Sequence, residues 1–258
     1  MATTTPTPKT KPNNPTILVV PGSFCPPTFY TEFVDALKEK GFPALVVQLP
    51  STRVRVASLG PAGMMEDADV VRRAVEGLIG MGRGVVVLCH SYGGIPTTQA
   101  LTSLPIKRII YLTAVIPLLH QNEHEAFPQP PGYLPTPIDG YMHLDALTFA
   151  PALLNDIPFE DAYPLALTIR THSAKAFEEK VTSLAYAPAE GGKCTPVTYV
   201  VCERDVIISP ERQRELIGRL VESRGEGGVD VRTLDAGHCP HVSVCEQLVG
   251  LVGEVALL

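Results

Sequence analysis

Continuous apolar runs alternate with amphipathic stretches along most of the chain. Thr16–Val20 (TILVV), Ala44–Leu49 (ALVVQL), Gly84–Cys89 (GVVVLC) and Lys107–Ala114 (KRIIYLTA) read as short strands. They are apolar on both faces, as expected where helices cover both sides of a sheet. Between them the periodicity becomes helical. Pro26–Lys40 sets Phe29, Phe33, Val34 and Leu37 on one face, with Gly41 as its stop. Glu66–Met81 and Tyr92–Ser103 read as two further helices. Strand–helix alternation of this kind predicts right-handed crossovers and an α/β fold with a doubly wound, mostly parallel sheet.

The alternation pauses after the fourth strand. Residues 117–193 hold a proline-rich stretch, then helix-like pieces at Asp161–Arg170 and Ser173–Ser183. It resumes with a strand at Pro196–Cys202, a helix at Pro210–Glu222, a strand at Val229–Leu234 and a helix at Val242–Leu258. The expected organisation is a core of residues 16–116 and 194–258 with a helical and loop cap at 117–193. The cap would lie over the carboxyl ends of the strands, the edge where open α/β sheets bind ligands. Residues 1–15, with four prolines among Thr, Lys and Asn, read as a disordered tail.

Composition narrows the function classes. The chain is 258 residues long, 45% hydrophobic and 19% charged, enough apolar material for one large core. A formal charge of −6 argues against nucleic acid or an anionic membrane as the main partner. No apolar run approaches the roughly 20 residues that span a bilayer. The first residues carry no apolar segment of the kind a secretory signal needs. Six cysteines lie scattered without a CxxC pair, so neither a disulfide framework nor a zinc spacing is expected. These features lead us to expect a cytoplasmic protein, monomer or homodimer, that acts on a small molecule without metal or organic cofactor.

The strongest chemical signal is Cys89-His90-Ser91-Tyr92-Gly93-Gly94, directly after an apolar strand and opening a helix. A Ser at such a corner is forced into a strained backbone with its hydroxyl exposed, and its neighbours two away must be small. Ser58-Leu59-Gly60 and Ser223-Arg224-Gly225 match the tripeptide but follow no buried strand. The bland alternative for Ser91 is a helix cap. A serine needs a base, and of seven histidines His238 lies after the last strand at the same sheet edge, with His241 as rival. The adjacent His90 is expected to point away from the corner. The base needs an acid, and Asp205 follows the TYVVCER strand, with Glu203 and Asp235 as weaker candidates. Backbone N–H groups of Ser23 and Tyr92 are expected to form the oxyanion hole, although Pro21-Gly22 can also be read as a plain turn.

In the order Ser91, Asp205, His238 the sequence resembles the α/β-hydrolase superfamily from about residue 16 to the C-terminus. The loop Pro21–Ser23, the cap after the fourth strand, and Tyr199–Asp205 leading to Pro210, Glu211 and Gln213 resemble one small-cap group. That group contains plant methyl-salicylate-type esterases and hydroxynitrile lyases. The resemblance implies a Ser91 nucleophile, an Asp205 acid, a His238 base and Ser23 and Tyr92 oxyanion donors. It departs at Pro21, where the group carries His, and at Cys239, where the lyases carry Lys, so the lyase reading falls away.

Other features are weaker. His120-Gln121-Asn122-Glu123-His124 spells a zinc-peptidase pattern, but its proline-rich surroundings make a polar cap loop the simpler reading. Cys89 should face the core and Cys25 the entrance, neither with a cationic neighbour. Arg53 and Arg55 read as solvated surface. Phe127, Tyr133, Tyr141, Phe149 and Phe159 read as a small cap core with one or two facing the pocket. Phe24, Cys25, His120, His124, Tyr133 and His241 are the candidate pocket residues. The leading expectation is a serine hydrolase for a small, largely apolar ester, thioester or lactone. The same residues also fit carbon–carbon cleavage or intramolecular acyl transfer of a polyketide-like substrate, and a ligand-binding receptor without turnover.

Overall fold

The computed structural model describes residues 14–56, 58–188, 194–225 and 227–258. The tail expected at 1–15 therefore falls almost wholly outside the described residues. The sheet is formed by β1 (Thr16–Val20), β2 (Ala44–Val46), β3 (Val85–His90), β4 (Arg108–Leu112), β7 (Val197–Cys202) and β8 (Asp230–Leu234). Its order is β2-β1-β3-β4-β7-β8, and every pairing is parallel. The pleat sends alternate side chains to opposite faces. Leu18, Val20, Val87 and Cys89 enter one core, while Ile17, Val19, Val86 and Leu88 enter the other.

Helices seal both cores. Phe33, Val34 and Leu37 of α1 (Thr31–Glu39) pack with Leu248, Val249 and Val252 of α10 (Cys245–Val255) on one face. Met64, Val71 and Val75 of α2 (Met64–Gly80), Ile95 of α3 (Gly94–Ala100) and Leu216 and Leu220 of α8 (Pro210–Arg224) cover the other. Each fully buried Leu or Val contributes roughly 1.5–3 kcal/mol relative to exposure. Gly41 stops α1 with φ +90°, where a Cβ would be strained. Ser209 caps α8, accepting from Arg212 N at 3.3 Å, and Pro210 opens it.

Between β4 and β7 the chain forms α4 (Glu123–Ala126), β5 (Tyr141–Met142), α5 (Ala146–Leu153), α6 (Phe159–Ala166), β6 (His172–Ser173) and α7 (Lys175–Glu178). β5 and β6 pair antiparallel in a ribbon of their own.

Several helices are shorter than the periodicity predicts. The stretch 173–183 is helical only at α7. Beyond it, hydrogen bonds from Val181 N to Gln121 O (3.0 Å) and from Thr182 N to Gln99 Oε1 (2.7 Å) hold the backbone extended. The final helix is broken at Val244 (φ −133°, ψ 42°) into α9 (Pro240–Ser243) and α10. Pro27–Tyr30 form a 3-10 turn before α1, and Ser91–Gly93 form another before α3. No described helix is long and apolar enough to cross a membrane.

Candidate active site

Because all six strands run parallel, their carboxyl ends share one edge. That edge gathers Pro21–Cys25 after β1, Ser91 after β3, Thr113 after β4, Asp205 after β7 and His238 after β8. Ser91 has φ +53°, a left-handed conformation that strains a residue with a side chain. The corner is held by close packing. A Cβ on Gly93 would stand 2.6 Å from Pro21 O and 2.7 Å from Val20 O. Only glycine fits where the turn after Ser91 crosses the end of β1 and its loop. Cys89 fits two residues before Ser91 because its thiol turns into the sheet and reaches Ile110 O at 3.5 Å.

Ser91 Oγ lies 3.1 Å from His238 Nε2, and His238 Nδ1 lies 2.7 Å from Asp205 Oδ2. Nδ1–H donates to the carboxylate, so Nε2 is free to accept the serine proton. Asp205 is 3% exposed and also accepts from Thr113 Oγ1 (2.5 Å) and from the amides of Ile207 (2.8 Å) and Ile208 (3.0 Å). Burial alone would raise its pKa. His238, Thr113 and the Ile208 amide together outweigh burial and hold the carboxyl below its ordinary value. The rivals sit elsewhere. Glu203 pairs with Arg214 at 2.7 Å, and Asp235 with Arg204 at 2.8 Å. His241 is stacked on Tyr30, ring centroids 4.3 Å apart.

Ser23 lies beside Ser91, and among the described residues neither the Ser23 nor the Tyr92 amide donates to a protein acceptor. The loop carrying Ser23 is pinned on both sides. Gly22 N donates to Tyr30 Oη at 2.9 Å, and Phe24 N donates to His172 Nδ1 at 3.4 Å. Tyr30 in turn meets His90 Nδ1 at 2.8 Å, and His90 Nε2 meets His238 O at 2.8 Å. Since the Tyr30 oxygen accepts from Gly22, its proton goes to His90 Nδ1, and His90 Nε2–H donates to His238 O. Burial, reinforced by nearby His238, pulls His90 down to about 3, so its ring is neutral. The expectation that His90 points away from the site is thus corrected: it ties the first loop to the backbone of His238.

Two recesses meet at Ser91. The larger is lined by Phe24, Phe127, Tyr133, Phe149 and Phe177 together with Glu123 and Gln129. The smaller is lined by Gly22, Cys25, His90, Leu153 and His238. Phe24 and Tyr133 line the larger recess. Cys25 lines the smaller recess, but at 1% exposure it is buried rather than placed at an entrance, and burial pushes its thiol up to about 12. His120 and His124 do not line either recess. Both are exposed: His120 precedes α4, and His124 lies on its outer side, edge-on to Phe177, while Glu123 and Ala126 face inward. His241 lines neither recess. It is sealed behind His90. Tyr141 lies in another cleft under Arg55, whose guanidinium pairs with Asp139 at 3.0 Å, and Phe159 stacks on Tyr163.

The structure also assembles groups that linear spacing hides. Asp67 on α2 accepts from Ser51 N (2.9 Å), Ser51 Oγ (2.5 Å) and Tyr92 Oη (2.8 Å), which fixes Tyr92 behind the corner. Burial raises Asp67 to about 6. His90, Cys239 and His241 bring ligand-capable atoms within 4.8 Å of one another. Both His90 nitrogens are already engaged, so a cation there would have to displace Tyr30 or His238 O.

The alpha/beta hydrolase family model matches residues 17–251. A curated relative, probable hydrolase R7 of Phoma sp., is 42% identical over 247 residues, covering 94% of this chain and 98% of the relative. A pyrethroid hydrolase from Sphingobium faniae superposes with TM-score 0.73 at 22% identity, over 94% of this chain and 97% of the other. A methylesterase from Arabidopsis superposes with TM-score 0.71 at 19% identity, over 94% and 100%. At those identities the two structures share the fold. The family match and the Phoma relative both run along nearly the whole chain, and the chain belongs to the alpha/beta hydrolase family.

Proposed function

We propose that this hydrolase cleaves a small, largely apolar carboxylic ester, thioester or lactone through an acyl-enzyme on Ser91. The observation that carries the reading is the hydrogen-bonded series Ser91 Oγ, His238 Nε2, His238 Nδ1, Asp205 Oδ2 at the foot of an apolar pocket. The Arabidopsis neighbour is a methylesterase, which supports the ester class.

Ser91 Oγ attacks the carbonyl carbon as His238 Nε2 takes the hydroxyl proton. The carbonyl oxygen becomes an oxyanion and accepts from the Ser23 and Tyr92 amides. These are aligned beforehand by Gly22–Tyr30 on one side and Asp67 on the other. His238 then gives its proton to the leaving oxygen or sulfur. Water loses a proton to His238 and attacks the acyl carbon, and the return of that proton to Ser91 frees the acid. Asp205 stays ionised throughout and holds the imidazole in one tautomer.

Intact mass after exposure to a fluorophosphonate tests the reading. One adduct on the wild type, absent in Ser91→Ala, is expected. No adduct on the folded wild type, or an adduct that survives Ser91→Ala, would overturn it.

A further inference from the structure

Glu123 is the first residue of α4, yet its carboxyl is turned inward to the wall of the larger recess. It is 8% exposed, and among the described residues no donor reaches it; Oε2 is buried without a partner. Local structure does not require this. The N-terminus of α4 is already capped by Asn122 and Glu125, which exchange bonds of 2.9 and 3.0 Å. Lys180 pairs with Glu125 at 2.7 Å and leaves Glu123 alone. Gln129 lines the same recess, and its Nε2 is likewise buried without a partner. Two unpartnered polar side chains in one aromatic pocket are costly unless a ligand satisfies them. Burial also lifts Glu123 to about 8, so near neutral pH its carboxyl is an O–H donor.

The recess can be assigned to one part of the substrate, on the reading that Ser91 forms an acyl-enzyme. His238 must protonate the leaving group, and His238 lines the smaller recess and not the larger. The leaving group therefore belongs in the smaller recess and the acyl chain in the larger. We propose that Glu123 and Gln129 form a polar subsite for a carbonyl oxygen carried on the acyl chain away from the scissile bond, making an oxo-acyl ester the preferred substrate class. The aromatic wall takes the chain's methylenes, and the two donors close on the ketone. Unsubstituted acyl chains leave both groups unpaired and react more slowly.

The test uses nitrophenyl octanoate and a series of its esters with a keto group moved stepwise along the acyl chain. The readout is the ratio of kcat/KM for each keto ester to that of octanoate. In the wild type one keto position raises the ratio by about tenfold or more, the equivalent of one well-placed hydrogen bond. Glu123→Met abolishes that rise, whereas Glu123→Gln, which keeps a donor of the same shape, retains most of it. Gln129→Met lowers it partway. A purely structural role for Glu123 would slow all esters alike and leave the ratio unchanged. Fluorophosphonate labelling of each variant shows that Ser91 is still assembled. Labelled wild type without a keto preference, or a preference that survives Glu123→Met, overturns the subsite alone. Unlabelled wild type overturns the serine-hydrolase reading and the subsite with it.

Discussion

Replacing Glu123 by Gln removes one proton-binding group from the pocket wall and keeps its shape. In the folded chain burial raises this carboxyl from 4.5 to about 8, while in the unfolded chain it titrates near 4.5. Between those values the folded protein holds a proton that the unfolded chain has released. Stability therefore falls as pH rises through this window, and the loss is complete above about pH 8. At about pH 5.5 the penalty is roughly 1–2 kcal/mol, and at about pH 8.5 it is roughly 4–5 kcal/mol. The difference, about 3 kcal/mol, belongs to Glu123 alone once wild type and Glu123→Gln are compared at both pH values. Buried Asp67, also raised, is present in both proteins and cancels. Urea unfolding is the assay. Glu123→Gln should gain about 3 kcal/mol on the wild type between the two pH values, or roughly 6–12 °C in Tm. A gap that stays constant within about 0.5 kcal/mol would mean that the carboxyl is solvated or paired in the folded state and carries no burial penalty.

Three further outcomes follow from the site. Asp205→Asn should lower kcat by roughly 10⁴-fold in an ester assay while the fold survives, since the amide cannot hold the His238 tautomer; a loss below about tenfold would argue against its role. Gly93→Ala should cost about 3 kcal/mol or more by thermal denaturation, because the added methyl meets backbone oxygens of β1 and its loop that cannot yield. Tyr30→Phe leaves the Gly22 amide and His90 Nδ1 unpaired in a buried place. It should destabilise the protein by about 1–3 kcal/mol and lower kcat more than it raises KM, read from full Michaelis curves.

Much of the fold was legible because it depends on local pattern. Runs such as TILVV and GVVVLC can be satisfied only between two layers of helices, and the helical spacing of Phe33, Val34 and Leu37 specifies one buried face. Placing Ser91, Asp205 and His238 at ends of strands needed only that the sheet be parallel. What pattern reading missed lies where distant segments decide. Residues 179–183 carry no extended signal of their own, but Gln99 and Gln121 hold them straight. Val244 interrupts a periodic stretch without a Gly or Pro to announce it.

The pocket shows the same division most sharply. In His120–His124 the histidines drew attention, yet both are exposed and the unremarkable Glu123 is the inward residue. The rotation of a single helical turn is set by what packs against it, and a four-residue helix has too little periodicity to reveal its buried face. Thr113 under Asp205, Asp67 under Tyr92 and the Tyr30–His90 tie are likewise contacts between residues far apart in the chain. Hydrophobic periodicity and turn chemistry were enough to specify the layered sheet, its parallel sense and the edge where chemistry-bearing loops collect. Which polar side chains stand unpaired inside the pocket depends on three-dimensional packing, because burial and hydrogen bonding are properties of neighbours brought together by folding.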